Sequence, residues 1–392
     1  MTAAIEPLAL YIHWPFCQSK CPYCDFNSHV HDAIDHAAWA AALSAELDHY
    51  RAETGARALA SIFFGGGTPS LMQASTVAAL IERADALWGF EDGIEITLEA
   101  NPSSAEAARF RDYHTAGVNR LSLGVQSFDP EALKFLGRRH DVDQAERALA
   151  MAAEIFPRRS FDLIYARPGQ TLEQWQGELG HALAFAGDHL SVYQLTIEPG
   201  TAFFRDHVQA AGEDLGAEMF EATRARLADA GLEAYEVSNH ARPGRESRHN
   251  LTYWRGGDYV GVGPGAHGRL ARDGEFLATH QIADPARWLA QTRERGEGTA
   301  KVRRLDARER AEEMVMTGLR MAEGLDCERL ERVTGLAIES LIDPAALQRC
   351  VAGGLLTWNG RRLTATAEGV LMLNAMLAHL LAPAEDETGY DV

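Results

Sequence analysis

Three cysteines, Cys17, Cys21 and Cys24, fall within one short stretch, while Cys327 and Cys350 stand alone far downstream. An odd total crowded into one cluster does not suit a disulfide framework; in a reduced compartment it points to metal or redox chemistry. The spacing is C-x3-C-x2-C, and Pro15 and Pro22 keep the stretch out of regular structure. Three thiolates on a tight loop can hold three irons of a [4Fe–4S] cube, leaving the fourth iron open to an exchangeable ligand. The competing reading is a Cys3His zinc site with His29 or His31 as fourth ligand. A third reading is three incidental thiols.

A second group of residues belongs to the same chemistry only through its position. Gly65-Gly66-Gly67-Thr68-Pro69 follows a strand-like run, and glycines there let the backbone approach a ligand closely. Glu99, Gln126 and Gln194 also fall at the ends of strand-like runs. In parallel α/β folds the carboxyl ends of the strands form the rim where ligands bind.

The elements that must build that rim are six strand-like runs, Leu8–His13, Ser61–Phe64, Ile94–Leu98, Arg120–Val125, Phe161–Tyr165 and Leu190–Ile197. Helical patterns at Ala37–Arg51, Ser75–Leu87, Ala105–His114, Val142–Ile155 and Leu172–Ala186 separate them. Such alternation predicts a parallel sheet. Several runs keep one polar face: Glu95, Thr97 and Glu99 alternate with Ile94, Ile96 and Leu98, and Ser122, Gly124 and Gln126 with Leu121, Leu123 and Val125. A doubly buried parallel strand would be apolar almost throughout, so the sheet is expected to curve around a cavity as a partial barrel.

Downstream the pattern predicts a helix near Leu215–Ala230, a strand near Ala234–Asn239, and then loops rich in Gly, His and aromatics. From about 306, helices at Ala307–Ala322, Cys327–Val333 and Ile338–Ala352 lead to Leu355–Trp358, an Asn359-Gly360 turn and Arg362–Ala365, a strong hairpin signal. A closing helix over Gly369–Leu381 completes a winged-helix-like module, with Cys327 and Cys350 in its core. The expected organisation is an α/β partial barrel over 1–212, a connecting segment over 213–305, a winged-helix-like domain over 306–382 and a disordered acidic tail over 383–392.

The cysteine motif with an aromatic before its last cysteine, followed by GGGTP, resembles the radical S-adenosylmethionine (SAM) superfamily. Within it the chain is similar to the group that holds oxygen-independent coproporphyrinogen III oxidase and its haem-chaperone-like relatives. The resemblance runs from Leu10 to about Leu381 through YIHWPFCQSKCPYCDFNSH, FFGGGTPS, ITLEANP, GVNRLSLGVQSF, FDLIYARPGQT, LSVYQLTIEP and HNLTYWRGGDYVGVGPGAHG. It implies a (β/α)6 radical-SAM barrel whose cluster is held by Cys17, Cys21 and Cys24 and whose SAM chelates the open iron. Tyr11 would lie beside the SAM, Gly66, Gly67 and Thr68 would meet its methionine part, and Glu99, Gln126, Arg138 and Asp162 match SAM-contacting positions. A carboxylate suits hydroxyls or the sulfonium, and a guanidinium suits a carboxylate.

Two features favour the chaperone-like branch. The oxidase carries a further cysteine two positions after the third cluster cysteine, where this chain has Phe26, and it has a longer N-terminal arm. His249-Asn250-Leu-Thr-Tyr253-Trp254 matches an HNxxYW motif typical of the chaperones, in which an imidazole could ligate haem iron and Tyr253 and Trp254 could flank a porphyrin. His267 is a weaker candidate for the same pocket. One departure is Ala166-Arg167-Pro168, where relatives commonly read Gly-Leu-Pro; Arg167 is expected to be a solvated loop cation, the alternative being a propionate contact.

The expected function is therefore haem binding and transfer to an acceptor protein, one of the respiratory chain being a candidate, on a scaffold carrying a [4Fe–4S] cluster and SAM; no catalytic residue is assigned. The alternative is a radical-SAM enzyme performing oxidative decarboxylation of a porphyrinogen. From another class, a zinc-stabilised winged-helix DNA-binding regulator leaves the β/α body unexplained. A formal net charge of −19 also argues against a nucleic-acid partner. Neither a targeting segment nor a membrane span is visible, so a cytoplasmic location with at most transient membrane contact is expected, and a homodimer is left open.

Overall fold

A computed structural model of the chain describes residues 6–31 and 33–381. Strand β1 (Leu8–Trp14) shows how the sequence dictates the layers: Leu8, Leu10, Ile12 and Trp14 point to one face and Ala9, Tyr11 and His13 to the other. The same alternation runs through β2 (Leu59–Gly66), β3 (Phe90–Ala100), β4 (Arg120–Gln126), β5 (Arg158–Tyr165) and β6 (His189–Gln194). These six strands lie side by side in chain order, and every neighbouring pair is parallel.

Crossovers run through α1 (His36–Thr54), α2 (Ala74–Trp88), α3 (Val142–Ile155) and α4 (Leu172–Leu183), giving the expected partial (β/α)6 barrel. The outer faces of the strands pack on Trp39, Leu43 and Leu47 of α1, Leu80 of α2 and Trp175 of α4 in one continuous core. Each such side chain contributes roughly 1.5–3 kcal/mol on burial. The helix expected over Ala105–His114 is instead two short helices, Ser104–Ala107 and Phe110–Thr115.

The sheet does not end with the six strands. Beyond β6, the single strand expected at Ala234–Asn239 is replaced by β7 (Glu233–Ala234) and β8 (Asn239–Ala241), paired antiparallel to each other. On the other side of β1, the segment expected to be loops supplies β9 (Tyr259–Val262), β10 (His267–Arg272), β11 (Glu275–Gln281) and β12 (Thr299–Leu305). The order across the twelve-stranded sheet is β12-β11-β10-β9-β1-β2-β3-β4-β5-β6-β8-β7, so β12, with Lys301 and Arg303 exposed, forms one edge. The β10–β11 hairpin turns on Asp273 and Gly274, at φ 52° and 81°. An Asp-Gly pair is among the strongest hairpin signals, and it was the legible mark of this extension.

The chain divides into two compact units. One comprises Met1–Ala234, Ser238–Thr252 and Gly257–Arg303; the other comprises Tyr235–Val237, Tyr253–Gly256 and Arg304–Val392. The second unit holds α8 (Ala307–Gly318), α9 (Cys327–Thr334), α10 (Pro344–Ala352) and α11 (Leu373–Leu380), after α5 (Glu213–Asp229), α6 (Arg248–Trp254) and α7 (Pro285–Arg295) earlier in the chain. Its three-stranded antiparallel sheet joins Leu325–Asp326, Arg362–Ala365 and Leu356–Trp358, and the wing turns at Asn359-Gly360. Asp343 caps α10 and Pro344 opens it, which breaks the longer helix expected from Ile338. Cys327 and Cys350 are buried in this unit's core. The acidic tail expected over 383–392 lies outside the described residues.

Candidate functional site

The cysteine loop leaves the carboxyl end of β1 and is anchored at both of its ends. Phe16–Cys17 pairs parallel with His29–Val30, and the His29 N–H donates to the Pro15 carbonyl at 2.7 Å. Asn27 Nδ2 donates to the carbonyls of Pro264, 2.9 Å, and Ala283, 2.8 Å, tying the loop to the turns that flank β10 and β11. The GGGTP loop is stitched to the same segment: the Gly67 N–H reaches Trp14 O at 2.7 Å and the Thr68 N–H reaches Phe16 O at 2.8 Å. Only glycine fits there. A Cβ at Gly67 would lie 2.7 Å from the Phe16 carbonyl oxygen, and Gly66 adopts φ 110° against the His13 ring.

These loops and the strand ends enclose a cavity with about 1010 Å³ of space between its walls, part of it open to solvent. Cys17, Cys21, Cys24, Gly66, Gly67 and Thr68 line it, together with Glu99, Gln126, Arg138 and Asp162. Tyr11 stands beside the cavity rather than in its wall. Its hydroxyl lies 2.9 Å from His13 Nδ1, and His13 Nε2 lies 2.9 Å from the Asn27 carbonyl. A carbonyl can only accept, so His13 carries its proton on Nε2 and Nδ1 accepts from Tyr11. Burial pushes the His13 pKa down to about 4 and holds that neutral form.

The cavity wall carries both carboxyls and a guanidinium. Burial first, and the charge of Asp162 second, push the Glu99 carboxyl up to about 8. Burial pushes Asp162 up to about 6, against the pull of the Ser191 hydroxyl, Arg120 and Arg138. Two neighbouring buried carboxyls of this kind form a natural seat for a cation. Arg138 is fixed by donating from Nη2 to Gly124 O at 2.7 Å and Asn101 Oδ1 at 2.5 Å, and from Nη1 towards Cys21 Sγ at 3.4 Å. Its Nε is buried without an acceptor, which is what a donor awaiting a ligand carboxylate looks like.

The thiols suit a cluster better than a single ion. Each takes a different polar neighbour: Cys17 the Thr68 hydroxyl at 3.4 Å, Cys21 Arg138 and Cys24 the Ser28 hydroxyl at 3.7 Å. Among the described residues no three His, Cys, Asp or Glu side chains converge as one ion would require. His29 Nε2 engages Asn27 Oδ1 at 3.0 Å and His31 packs edge-on to Phe16, so neither imidazole turns towards the thiols as a zinc ligand. Thiols spread around a common cavity match separate corners of a [4Fe–4S] cube.

Of the HNxxYW residues, His249 is buried while Asn250, Tyr253 and Trp254 are half-buried. His249 is 1% exposed, with Nδ1 2.9 Å from Ser61 Oγ and its ring stacked on Phe63 at 5.0 Å. Burial pushes its pKa down to about 3. Glu95 accepts from the His249 N–H at 3.1 Å and Ser247 Oγ at 3.2 Å, and pairs with Arg158 at 2.8 Å, so the lower barrel is filled by a buried polar network. The imidazole is therefore not presented at the surface in this conformation. Asn250 belongs to the first unit, whereas Tyr253 and Trp254 are grouped with the second, where Arg320 lies over the Trp254 ring at 6.0 Å.

Arg167 corrects the expectation of a solvated cation: it is buried against Glu178 and Ser127. Sequence reasoning also passed over Asn101 and Glu106. Asn101 bridges Thr68 Oγ1, 3.3 Å, to Arg138, and the buried Glu106 carboxylate accepts the Asn101 N–H at 2.9 Å and the Ser70 hydroxyl. Asn101 stands inside the ITLEANP motif two residues after Glu99, which was the available signal.

Comparison with known proteins agrees with this geometry. Residues 11–179 match the Radical SAM superfamily, and residues 305–372 match the HemN C-terminal domain. The chain is 39% identical to heme chaperone HemW of Escherichia coli, covering 96% of this chain and 99% of that protein. It is also 39% identical to the mitochondrial radical S-adenosyl methionine domain-containing protein 1 of Mus musculus, over 96% of this chain and 88% of that one. Among solved structures, coproporphyrinogen III oxidase (HemN) from Escherichia coli superposes with a TM-score of 0.81 at 23% identity, covering 96% of this chain and 90% of that chain, which establishes the shared fold.

Proposed function

We propose that this chain, which belongs to the radical S-adenosylmethionine superfamily in the family of heme chaperone HemW, binds haem and passes it to an acceptor protein. The observation that carries the reading is similarity to that chaperone along almost the whole of both chains. Phe26, 57% exposed on the wall of the cavity, supports it, because that position would carry a further cysteine in the oxidase branch.

Cys17, Cys21 and Cys24 would hold the [4Fe–4S] cluster, and SAM would occupy the remainder of the cavity. When bound, the pair supplies one-electron chemistry to the scaffold. Glu99 and Asp162 would meet the cationic end of SAM, the buried Nε of Arg138 its carboxylate, and the Gly66–Thr68 backbone its methionine part. Gln126 would contact it from the end of β4, and Tyr11, held by His13, would close the inner side. Haem would engage the chain near the HNxxYW segment, which must move for His249 to reach iron. The acceptor would be a protein met in the cytoplasm or transiently at a membrane surface. Among the described residues no helix is long and apolar enough to cross a membrane.

The test is an anaerobic haem titration of cluster-reconstituted protein, followed by transfer to apomyoglobin as a probe acceptor. Saturable binding and transfer faster than from free haem are expected. A protein that binds no haem at micromolar concentrations, or that converts coproporphyrinogen III to protoporphyrinogen IX, would overturn the reading.

A further inference from the structure

The β10–β11 hairpin carries two imidazoles that the interior network does not use. His267 and His280 are register partners on the two strands, and their rings stack with centroids 4.1 Å apart and planes 22° from parallel. His267 is exposed and His280 half-buried. Among the described residues, none of their four ring nitrogens has a hydrogen-bond partner. The contrast with His13, His249 and His140 is direct, since each of those spends at least one nitrogen on the fold.

Sheet register fixes which way the pair faces. Side chains of register partners share a face, and residues two apart on a strand share it as well. His267 therefore shares a face with Arg269, which pairs with Tyr259, which pairs with Ala9, which lies two residues before Tyr11. The imidazole pair thus stands on the same concave face as Tyr11, His13 and the cavity. The opposite face of the hairpin, with Leu270 and Leu277, is buried in the core. His267 is close enough to His13 to push its pKa down, and His13 holds Asn27, the residue after exposed Phe26.

The number of ligands decides what the pair can hold. A bare divalent ion takes three or four protein ligands in a tight site, and among the described residues no three candidate side chains converge. Iron in a porphyrin already has four nitrogens and needs only an axial donor. Stacked rings cannot both approach one iron along its axis, so one ligates while the other holds it in place. Of the two, the exposed ring is the one with access.

We propose that His267 supplies an axial imidazole to haem iron, with His280 stacked on it as a positioning residue. The inference rests on the haem-binding reading and names the ligand within it. His267 would serve in this role whether or not the HNxxYW segment moves to bring His249 to the iron.

The experiment is a Soret-monitored haem titration of the full-length, cluster-reconstituted protein, of His267→Ala and of His280→Ala, each checked for unchanged thermal unfolding without haem. Wild type is expected to titrate to one equivalent with the spectrum of an imidazole-ligated haem. His267→Ala should raise Kd roughly tenfold or more and shift the Soret band, and free imidazole should restore the spectrum. His280→Ala should keep the band position while weakening binding by a smaller factor. A His267→Ala titration indistinguishable from wild type would overturn the assignment and leave haem binding intact. So would a loss that imidazole fails to restore in folded protein, or zinc binding by the pair with no effect of the variant on haem. Absence of haem binding in wild type would overturn both this assignment and the functional reading beneath it.

Discussion

Arg167 and Glu178 form a buried pair, Nη2 to Oε2 at 2.6 Å, at the turn that follows β4. The same carboxylate accepts the Phe128 N–H at 2.9 Å and the Ser127 hydroxyl, while Arg167 Nη1 donates to Ser127 Oγ at 2.8 Å. Gln126 immediately precedes Ser127 and is held at φ 71°, a left-handed conformation that non-glycine residues adopt only when the surroundings impose it. The pair therefore fixes the turn that presents Gln126 to the cavity.

Arg167→Leu leaves the Glu178 carboxylate buried without its cation. Stability in urea is expected to fall by about 3–5 kcal/mol, and SAM affinity with it. Replacing both residues, Arg167→Leu with Glu178→Leu, should cost less than either single change. A double-mutant cycle read by urea unfolding checks this, and additive losses would contradict it.

In the proposed role, Glu99 and Asp162 would make SAM binding proton-linked. Both carboxyls are raised by burial, so the folded chain holds their protons more tightly than the unfolded chain does. Their contribution to stability is full below the unfolded carboxylate range and is lost as pH rises through about 6 for Asp162 and about 8 for Glu99. A cationic ligand reverses the shift, so SAM binding at pH 7 should release protons. Calorimetry in buffers of differing ionisation enthalpy measures that release. Glu99→Gln should stabilise the ligand-free protein at pH 8, reduce the release, and weaken SAM roughly tenfold through loss of a charged contact.

His249→Ala should act on the fold before it acts on any ligand. The change removes a hydrogen bond to Ser61 and a ring stacked on Phe63 from a fully enclosed position. Thermal and urea unfolding of haem-free protein are expected to show a loss of roughly 2–4 kcal/mol. An unaltered melting temperature would mean that the segment around His249 is far looser than its packing indicates.

Much of this was legible in the residues themselves. The polar faces of β3 and β4 announced a curved sheet with a lined interior, and Val142–Ile155 forms a helix over the predicted span because Asp141 and Gln144 make a capping box. The loops that bring the cysteines and glycines together were marked by proline and glycine spacing. What stayed hidden depends on partners distant in sequence. Arg167 reads as a loop cation until Glu178, nearly two turns into α4, is brought against it. His249 reads as a free ligand until Phe63 and Ser61 cover it. The sheet extension from β9 to β12 is broken by glycines and charged residues that mask its alternation, and only Asp273-Gly274 betrays it.

Glu46 tests how that extension is attached. From α1 it accepts the N–H groups of Gly263 and Gly298, each at 2.7 Å, and the indole N–H of Trp288 at 3.1 Å. Burial outweighs those donors and pushes its carboxyl up to about 7, so its contribution to stability declines as pH rises through that value. Glu46→Ala strands buried donors and should cost at least about 3 kcal/mol. Glu46→Gln keeps an acceptor and should cost less, with a flatter dependence on pH between 6 and 8, as measured by urea unfolding across that range.

A sheet that stays open rather than closing into a full barrel leaves an unpaired border, and β12 is that border. Its row of backbone donors and acceptors would accept the same row from another copy of the chain. Lys301 and Arg303 on that strand set cation against cation in any such meeting. The consequence is colloidal: these two side chains keep neighbouring molecules from zipping together, and a variant that neutralises them would tend to precipitate.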